Sequence, residues 1–463
     1  MEPHSLQAMS AWCAGELIGD RSGILVQRVS TDSRQIKPGD LFIALPGDRF
    51  DGHDFLLQAV EKGAAAVMAE RSRTRPELGQ CPVILVESTR RALGLLARGY
   101  RREFALPIVG ISGSNGKTTT KELLASVLKQ KLSTLFSEAS FNNDIGVPLT
   151  LLQLQRTHGA AVVEMGTNHP GEIANLAAIV RPKYGVITSI GREHLEFFGD
   201  IAGVVQEEGS LAESIPADGK LFINGDHEWV SIIAKRTNAK VIRAGLSDVN
   251  EWRGHSLQLD KQGIAFTVEA PLPEFSGAYR VNLFGRHQVG NALLAIAVAA
   301  ELGLGKTEIE QGLAECKPAK MRMQLWEFNG VRVLDDAYNA NGDSMIAALE
   351  TLQELPCKGR RVAVLGDMAE LGGHTEAVHE EVGRRAGELG VAQLFAVGKM
   401  AAVMARGARQ AGLNRILEFN DVDSAAAAVK SFVKAGDLVL LKASRVTRLE
   451  RVGELLRMGG AAS

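Results

Sequence analysis

The sequence predicts an α/β protein built from three domains. Its 463 residues exceed the 100–200 that one domain usually holds. From about residue 106 onward, short apolar runs alternate with longer segments of helical pattern, which is typical of parallel strands joined by crossover helices. Polar motifs follow several of these runs, at the sheet edge where such folds bind ligands. These three observations together indicate a multidomain enzyme or nucleotide-binding protein.

The composition excludes several classes of protein. Hydrophobic residues make up 45% and charged residues 23% of the chain, as in ordinary globular proteins. A net charge of −2 gives no broad positive field for nucleic acid. No stretch reaches the ~18 uninterrupted apolar residues of a membrane span, and the start of the chain lacks a basic segment followed by an apolar run. We therefore expect a cytoplasmic protein without membrane insertion.

The cysteines give no sign of a disulfide framework or a structural metal site. They are widely separated, and none forms a C-x-x-C pair. We expect free and mostly buried thiols at Cys13, Cys81, Cys316 and Cys357.

The first predicted domain, residues 1–105, is a small α/β unit. The alternating run at 40–45 lies between two Pro-Gly turns, which indicates a strand with tight connections. A basic segment of helical pattern at 90–102 closes the domain.

The second predicted domain, residues 106–318, is a doubly wound and mostly parallel sheet with flanking helices. Its predicted strands are 106–111, 160–164 and 184–189, and its predicted helix is 291–302.

The third predicted domain, residues 319–463, repeats the alternation and indicates a Rossmann-like C-terminal unit. Its predicted strands are 331–334, 361–365, 394–397 and 438–441.

A glycine-rich segment at 110–119, GISGSNGKTT, follows a predicted strand and opens a predicted helix. In that context the backbone N–H groups can cradle phosphate, Lys117 can face the β- and γ-phosphates, and the Thr118 hydroxyl can bind Mg²⁺. The spacing departs from the standard G-x-x-x-x-G-K pattern, which would need Gly where Ile111 stands. A helix-capping glycine loop is the alternative, but the order of strand, loop and helix favours a phosphate loop.

Two further candidates follow predicted strands. Glu164 ends the strand 160–164, so its carboxylate should project at the ligand-binding edge and could hold Mg²⁺. His194 lies just beyond the strand 184–189, where a neutral imidazole could hold a second divalent ion. A lone His is more often structural, yet the shared edge favours a functional role.

The phosphate loop resembles the G-x-x-G-x-x-G-K-[ST]-T signature of the Mur ligase family and the related folylpolyglutamate synthases. Further motifs along the chain are similar to those of the Mur ligases that add a D-alanyl-D-alanine dipeptide. They are STDSR at 30–34, PGDLF at 38–42, GDRFDGH at 47–53, SFNNDIGVPLT at 140–150, EMGTN at 164–168, GRHQVGNA at 285–292, DDAYNAN at 335–341, GDMAELG at 366–372 and KASR at 442–445.

The resemblance implies an ATP- and Mg²⁺-dependent ligase that joins D-alanyl-D-alanine to UDP-N-acetylmuramoyl-tripeptide in peptidoglycan precursor synthesis. An acyl phosphate would be the intermediate. The N-terminal domain would bind the UDP-sugar, the central domain ATP, and the C-terminal domain would close over the site from a hinge near Pro318. We expect a monomer.

The resemblance also implies roles for individual residues. The catalytic group would be Lys117, Glu164, His194 and Asn143. ATP would contact Gly113, Ser114, Asn115, Gly116, Lys117, Thr118, Thr119, Asn291, Arg322 and Asp336. The metal ligands would be Thr118, Glu164, His194 and Glu208. The substrates would contact Ser30, Asp32, Ser33, Arg34, Gly47, Asn339, Asn341 and Arg445.

Two positions depart from the family pattern. Members of the family usually carry a carbamylated Lys fourteen positions after the metal-binding His, and here that position is Glu208. Its carboxylate has the same charge but a shorter reach, so we expect it to meet a metal through water. Gln288 replaces the more usual Asn after the His of the motif at 285–292, the adenine motif. Asp32 and Arg34 could alternatively form only a surface turn closed by an ion pair.

Other functions stay open on sequence alone. Within the same class, the chain could be the sibling ligase that adds the third amino acid, or a folylpolyglutamate synthase. The motifs at 335–341 and 366–372 favour the dipeptide-adding enzyme. Outside that class, the phosphate loop could serve a regulatory nucleotide-binding module.

Overall fold

Three large β-sheets follow one another along the chain in this computed structural model, which describes residues 1–19, 23–47, 49–73 and 78–458. Asp48 of the motif 47–53 and the end of the third predicted domain, residues 459–463, lie outside the described residues.

The N-terminal sheet has five strands among the described residues, in the order β2-β7-β6-β5-β4. All its neighbours are parallel except β2 and β7, and a separate antiparallel pair joins β1 to β3. The elements are β1 His4–Ser5, α1 Leu6–Trp12, β2 Glu16–Ile18, β3 Leu25–Val26, β4 Val29–Ser30, β5 Leu41–Ile43, α2 Leu56–Glu61, β6 Ala66–Glu70, β7 Val83–Val86 and α3 Thr89–Arg101.

The central sheet has nine strands in the described part of the chain, ordered β16-β15-β14-β13-β12-β11-β8-β10-β9. The strands are β8 Ile108–Ser112, β9 Thr134–Phe136, β10 Ala160–Glu164, β11 Tyr184–Ile187, β12 Lys220–Asn224, β13 Lys240–Gly245, β14 Trp252–Asp260, β15 Gly263–Glu269 and β16 Gly277–Val281. The helices are α4 Lys117–Leu128, α5 Gly146–Leu151, α6 Glu172–Val180, α7 Leu195–Phe198, α8 Ile201–Glu208, α9 Ser210–Ser214, α10 Val230–Ala234, α11 His287–Glu301 and α12 Lys306–Glu315.

Seven of the central strands, β8 to β14, are parallel to each other and carry the predicted doubly wound pattern. From β14 onward the pairing becomes antiparallel, an extension that the sequence analysis did not predict. The predicted helix 291–302 is α11, which starts one turn earlier at His287. That extra turn places the adenine motif on the helix itself.

The C-terminal sheet has six strands among the described residues, ordered β17-β18-β22-β19-β20-β21, and only β17 is antiparallel to its neighbour. The elements are β17 Gln324–Phe328, β18 Val331–Asp335, α13 Gly342–Glu354, β19 Arg361–Gly366, α14 Thr375–Glu388, β20 Gln393–Val397, α15 Ala401–Gln410, β21 Ile416–Phe419, α16 Val422–Phe432, β22 Leu438–Lys442 and α17 Glu450–Met458. This pattern agrees with the predicted Rossmann-like unit.

The two domain junctions differ in chemistry. Leu93 and Leu96 of α3 share one apolar core with Val163 of β10 and Leu176 of α6, so the N-terminal unit is fixed to the central sheet by hydrophobic burial. The central unit contacts the C-terminal unit through ion pairs beside the cavity described below, and also through Phe284, which lies in the apolar core of the C-terminal unit. The first junction is therefore apolar, whereas the second combines ion pairs with apolar burial.

Candidate active site at the domain junction

The phosphate loop leaves β8 and turns into α4 with two glycines in the left-handed region. Gly113 has φ +121° and Gly116 has φ +88°. A Cβ atom would lie 2.4 Å from the Thr188 hydroxyl at the first position and 2.3 Å from Asn291 Oδ1 at the second. Only glycine fits both positions, and these two residues let the chain turn from β8 into α4.

Lys117, the first residue of α4, folds back over this loop. Its side chain is 15% exposed, and its ammonium group contacts the carbonyl oxygen of Gly113 and lies 3.6 Å from Glu193 Oε2. Burial opposes the charged form, but the carboxylates of Glu193, Glu208 and Glu164 outweigh it and raise the pKa of Lys117. The amine therefore stays protonated, as a phosphate-binding group must.

The predicted pair of Thr118 and Glu164 meets at the end of β10. The Thr118 hydroxyl donates to Glu164 Oε1 over 3.1 Å, and Asn142 Nδ2 donates to the same oxygen over 2.9 Å. Glu164 is 1% exposed and its Oε2 is buried without a hydrogen-bond partner. Lys121 lies 3.8 Å from that oxygen. An unpaired carboxylate oxygen beside a hydroxyl suits a hard divalent cation such as Mg²⁺.

His194 lies at the same edge, in the loop between β11 and α7. Its Nδ1 contacts the carboxylate of Glu370, and its Nε2 lies 4.0 Å from Glu193 Oε2. Glu370 comes from the C-terminal domain, so the contact crosses the junction. Hydrogen bonding to His194 opposes the effect of burial and lowers the pKa of Glu370, which keeps that carboxylate charged.

Glu208, the last residue of α8, does not extend into the cavity. It is fully buried, and its Oε2 accepts a 2.7 Å hydrogen bond from the backbone N–H of Gly113. Burial raises the pKa of Glu208 well above its ordinary value; Lys117 opposes the rise and Glu193 adds to it. The Oε1 atoms of Glu208 and Glu193 are both buried without hydrogen-bond partners. Glu208 therefore holds the phosphate loop directly.

Within the described ranges, no group of three or more His, Cys, Asp or Glu side chains is arranged to hold a metal ion. A divalent ion beside Thr118 and Glu164 would therefore complete its shell with phosphate or water oxygens, as Mg²⁺ commonly does.

The C-terminal domain supplies a second wall. Arg322 stacks over the ring of Tyr338 at 4.1 Å, and Arg445 lies 5.9 Å from the same ring. Asp336 accepts from the backbone N–H of Met323 over 3.0 Å. Tyr338 thus orients two guanidinium groups by cation–π contact.

Lys442 reinforces this wall. Its ammonium contacts the Asp336 carboxylate and donates to the carbonyl oxygen of Asn339 over 3.2 Å. Asn341 reaches across the junction, and its Nδ2 donates to Asn115 Oδ1 over 3.1 Å. The same Asn341 caps α13 through the N–H of Ser344.

The amide side chains predicted around the nucleotide make hydrogen bonds within the protein. Asn291 donates to Gln288 Oε1 over 2.9 Å and accepts from the Thr120 hydroxyl over 3.3 Å. Gln288, which departs from the family pattern, therefore contacts Asn291 directly. Asn143 accepts from the N–H of Gly146 over 2.8 Å, at the start of α5.

These residues surround one cavity of about 1500 Å³ between the central and C-terminal domains. Its lining brings together most of the predicted site: Ser114, Asn115, Gly116, Lys117, Thr118, Thr119, Asn143, Glu164, His194, Asn291, Arg322, Asp336, Asn339 and Asn341. Gly113, Glu208 and Arg445 are not part of the lining. A cavity of this size exceeds that of an ordinary small-molecule pocket.

The predicted UDP-binding residues lie elsewhere. Ser30, Asp32, Ser33, Arg34 and Gly47 belong to the N-terminal domain and do not line the cavity. Arg34 is 84% exposed, and its side chain lies 2.8 Å from Asp32. Hydrogen bonds from Arg34 lower the pKa of Asp32 to about 2. The surface ion pair considered as an alternative is therefore present.

Several residues of the site were not predicted from the sequence, and four of them stand out. Arg192 and Glu193 precede His194 in the same loop, while Glu370 and Lys442 lie in motifs that were recognised as strings without roles for these side chains. Adjacency to His194 was the available signal for the first two.

The fold and cavity define a multidomain nucleotide-binding protein whose phosphate loop faces a second domain across an open site. Comparison with known protein families identifies the family within this class. The Mur ligase family, catalytic domain, matches residues 25–101, the Mur ligase middle domain matches 111–299, and the Mur ligase glutamate ligase domain matches 321–445. The chain belongs to the Mur ligase family.

Individual relatives agree. The chain is 36% identical to the UDP-N-acetylmuramoyl-tripeptide--D-alanyl-D-alanine ligase of Escherichia coli strain K12, over 96% of each chain. It resembles the crystal structure of MurF from Acinetobacter baumannii with a TM-score of 0.90 and 30% identity, covering 99% of each chain. The MurF ligase of Thermotoga maritima, solved in complex with ADP, matches with a TM-score of 0.84 and 29% identity over 95% of this chain and 99% of that one.

None of the helices in the described part of the chain has the length and apolarity needed to span a membrane.

Proposed function

We propose that this protein joins D-alanyl-D-alanine to UDP-N-acetylmuramoyl-tripeptide at the expense of ATP, in the synthesis of peptidoglycan precursors. The observation that carries the proposal is the full-length likeness to ligases named for that reaction. The cavity supports it, because it places a phosphate loop opposite basic and amide side chains from a second domain.

The reaction has two steps. The tripeptide's terminal carboxylate attacks the γ-phosphorus of ATP, which forms an acyl phosphate and releases ADP. The amine of the dipeptide then attacks the acyl carbon, phosphate leaves, the nitrogen loses a proton, and an amide remains.

Lys117 would stabilise the charge that develops on the transferring oxygens, since its pKa is raised and its ammonium lies beside the loop. Arg322, held by Tyr338, would add positive charge from the opposite wall. Both groups act by position, because phosphoryl transfer requires little covalent chemistry from the protein.

Thr118 and Glu164 would hold Mg²⁺, which neutralises phosphate charge when bound. The unpaired Oε2 of Glu164 and the adjacent hydroxyl fit such an ion. His194 and Glu208 would hold a second ion, and Glu193 lies beside both of them. Asn143, Asn291, Gly113 to Thr119 and Asp336 would line the bound nucleotide.

The remaining roles are assigned domain by domain, with the predicted bounds 1–105, 106–318 and 319–463. Ser30, Asp32, Ser33, Arg34 and Gly47 would receive the UDP end, and the apolar junction would keep them at a fixed distance from Lys117. Asn339, Asn341 and Arg445 would meet the dipeptide from the C-terminal side. A monomer in the cytoplasm is part of the same proposal.

Two alternatives compete with this proposal. The chain could add a single amino acid, as a sibling Mur ligase or a folylpolyglutamate synthase does, or it could be a nucleotide-binding regulatory module. No observation at the site favours either one over the dipeptide ligase.

A phosphate-release assay separates them. The protein would be supplied with ATP, Mg²⁺, UDP-N-acetylmuramoyl-tripeptide and a panel of amines, with Lys117→Ala as the inactive control. We expect turnover with D-alanyl-D-alanine and poor turnover with free amino acids. Good turnover of a free amino acid on UDP-N-acetylmuramoyl-dipeptide would identify a sibling ligase instead, and ATP hydrolysis independent of any UDP-linked substrate would identify a regulatory module.

A further inference from the structure

Glu370 and His194 face each other across the junction of the central and C-terminal domains. His194 follows β11 in the central domain, and Glu370 follows β19 in the C-terminal domain. Both have positive φ angles, +48° and +61°. Backbone conformations that side chains rarely adopt persist where the surroundings impose them, commonly at functional sites.

The main chain of Glu370 makes a second contact with the same loop. Its carbonyl oxygen accepts from the N–H of Glu196 over 3.1 Å. His374, four residues further on, places its Nε2 3.2 Å from the carbonyl oxygen of Gly199. The C-terminal loop therefore holds both ends of α7, the helix that begins just after His194.

The carboxylate beside Nδ1 of His194 determines whether Nε2 is able to bind a cation. The Glu370 carboxylate can only accept a hydrogen bond, so its contact with Nδ1 of His194 places a proton on Nδ1, and in the neutral imidazole this leaves the Nε2 lone pair for a cation. Nε2 is directed towards Glu193 Oε2, 4.0 Å away, at the wall of the cavity. A fixed tautomer of this kind is how a carboxylate prepares an imidazole to bind a cation.

We propose that Glu370 is a positioning residue that acts through His194: it fixes the tautomer and orientation of the imidazole, and it does so only when the C-terminal domain is closed onto the central domain. The proposal rests on the proposed function, which places His194 at the reacting phosphates. It couples domain closure to assembly of the site, because half of the His–carboxylate pair belongs to each domain.

Arg192 lies in the same loop as His194 and makes a separate contact with the C-terminal domain. Its Nε donates to Asp343 Oδ1 over 2.8 Å, its Nη1 donates to Glu381 Oε2 over 2.6 Å, and its backbone N–H donates to Asp343 Oδ2 over 2.7 Å. Both carboxylates belong to the C-terminal domain. Removal of Glu370 should therefore leave the domains able to meet, which separates positioning of His194 from closure itself.

The test uses the full chain with Glu370→Ala, Glu370→Gln and the control Glu380→Gln. Glu380 pairs with Arg406 inside the C-terminal domain and reaches no part of the cavity. Gln at position 370 keeps an oxygen that can accept the Nδ1–H, whereas Ala does not. The Glu370 side chain is 39% exposed, so all three variants should fold, and thermal melting checks this.

Two readouts decide the outcome. In ¹⁵N NMR of histidine-labelled protein with ADP and Mg²⁺, wild type and Glu370→Gln should show His194 with the proton on Nδ1, and Glu370→Ala should show a mixture of tautomers. In the ligase assay, Glu370→Ala should lower kcat by about 10- to 100-fold and raise the Mg²⁺ concentration for half-maximal rate. Glu370→Gln should recover most of the rate, and the KM for ATP should change little.

An unchanged tautomer in Glu370→Ala overturns the proposal, and so does activity equal to that of Glu380→Gln. If wild type itself fails to turn over D-alanyl-D-alanine, the proposed function fails, while the NMR result still decides whether Glu370 positions His194.

Discussion

Lys121 places its ammonium nitrogen 2.8 Å from the carbonyl oxygen of Ser137 and 2.6 Å from that of Ala139, although its side chain is fully buried. The same nitrogen lies 2.9 Å from Glu122 and 3.8 Å from Glu164. One buried cation thus ties α4, which carries the phosphate loop, to the segment that leads to Asn142 and Asn143. It also offsets the charge of the proposed metal carboxylate.

We predict that Lys121→Met will destabilise the central domain. Removing one partner of a buried charge pair leaves the other charge uncompensated and costs about 3–5 kcal/mol, which lowers the melting temperature by roughly 6 °C or more for a domain of this size. Lys131→Met is the matched control, because Lys131 is exposed and contacts only the carbonyl oxygen of Gly303. Calorimetry on both variants measures the difference, and equal melting temperatures would contradict the structural role of Lys121.

A second prediction concerns acid stability of the C-terminal domain. Burial opposes the charged form of Asp437, but hydrogen bonds from the Arg360 side chain and from the N–H groups of Arg360 and Lys434 outweigh it and lower its pKa. A lowered folded-state pKa contributes stability that is present above the ordinary value of about 3.9 and is lost as pH falls towards the folded value.

Asp437→Asn should therefore lower the melting temperature at neutral pH, and the difference from wild type should shrink below about pH 4. Asp248→Asn, at an exposed position, should change the melting temperature little at any pH. Melting curves recorded from pH 3 to pH 7 test this, and a constant offset for Asp437→Asn across that range would contradict it.

The parts of the site that the sequence could predict are those encoded by neighbouring residues. The glycines at 113 and 116 need left-handed φ angles, and Glu164 follows an uninterrupted apolar run, so strand, loop and carboxylate all show in local patterns. Strands β14 to β16 were missed although their burial alternates, because short connections join them and no α-helix separates them, so they lack the strand–helix alternation from which the other strands were predicted.

Contacts between distant residues could not be predicted in the same way. Glu208 meets Gly113 from 95 positions away, and Glu370 meets His194 from 176 positions away. Both contacts depend on how separate elements pack, and the second also depends on domain closure. Sequence spacing placed Glu208 at the expected position but did not show that its carboxylate would bind the phosphate loop.

The third prediction is that Lys117→Ala lowers turnover by on the order of 10³-fold or more, since it removes the charge that faces the transferring phosphoryl group. A phosphate-loop Lys is expected to project into a wet cleft, where its removal would affect folding little. The structure instead folds Lys117 back between Glu193 and the loop carbonyls, so a modest loss of stability should accompany the loss of activity. Lys117→Met, which keeps the aliphatic stem, separates the two effects: turnover is measured beside the melting temperature, and near-full activity of either variant would show that the loop does not bind the reacting phosphate.

The last prediction is that this enzyme works independently of carbon dioxide, because Glu208 stands where its family usually carries a carbamylated Lys. A carbamate forms only when a neutral Lys amine captures CO₂, and Glu has no such amine. The carboxylate of Glu208 is already anchored to Gly113 N–H, and it faces Glu193 and Lys117. Its carboxyl group therefore stands at the corner of the site where a carbamate would lie, and a bound cation there would favour its charged form against the burial that raises its pKa. A purely structural role for Glu208, with a weaker second metal site, is the alternative.

Activity in CO₂-depleted buffer should equal that with added bicarbonate for wild type. Glu208→Gln keeps an oxygen for the Gly113 N–H but removes the charge, so it should need more Mg²⁺ for half-maximal rate, with little change in melting temperature. Glu208→Lys would place a second ammonium beside Lys117, and it should be nearly inactive without bicarbonate and regain activity as a carbamate forms. Stimulation of wild type by bicarbonate would refute independence from CO₂, and an unchanged Mg²⁺ dependence in Glu208→Gln would remove Glu208 from the metal site and leave it as a support of the phosphate loop.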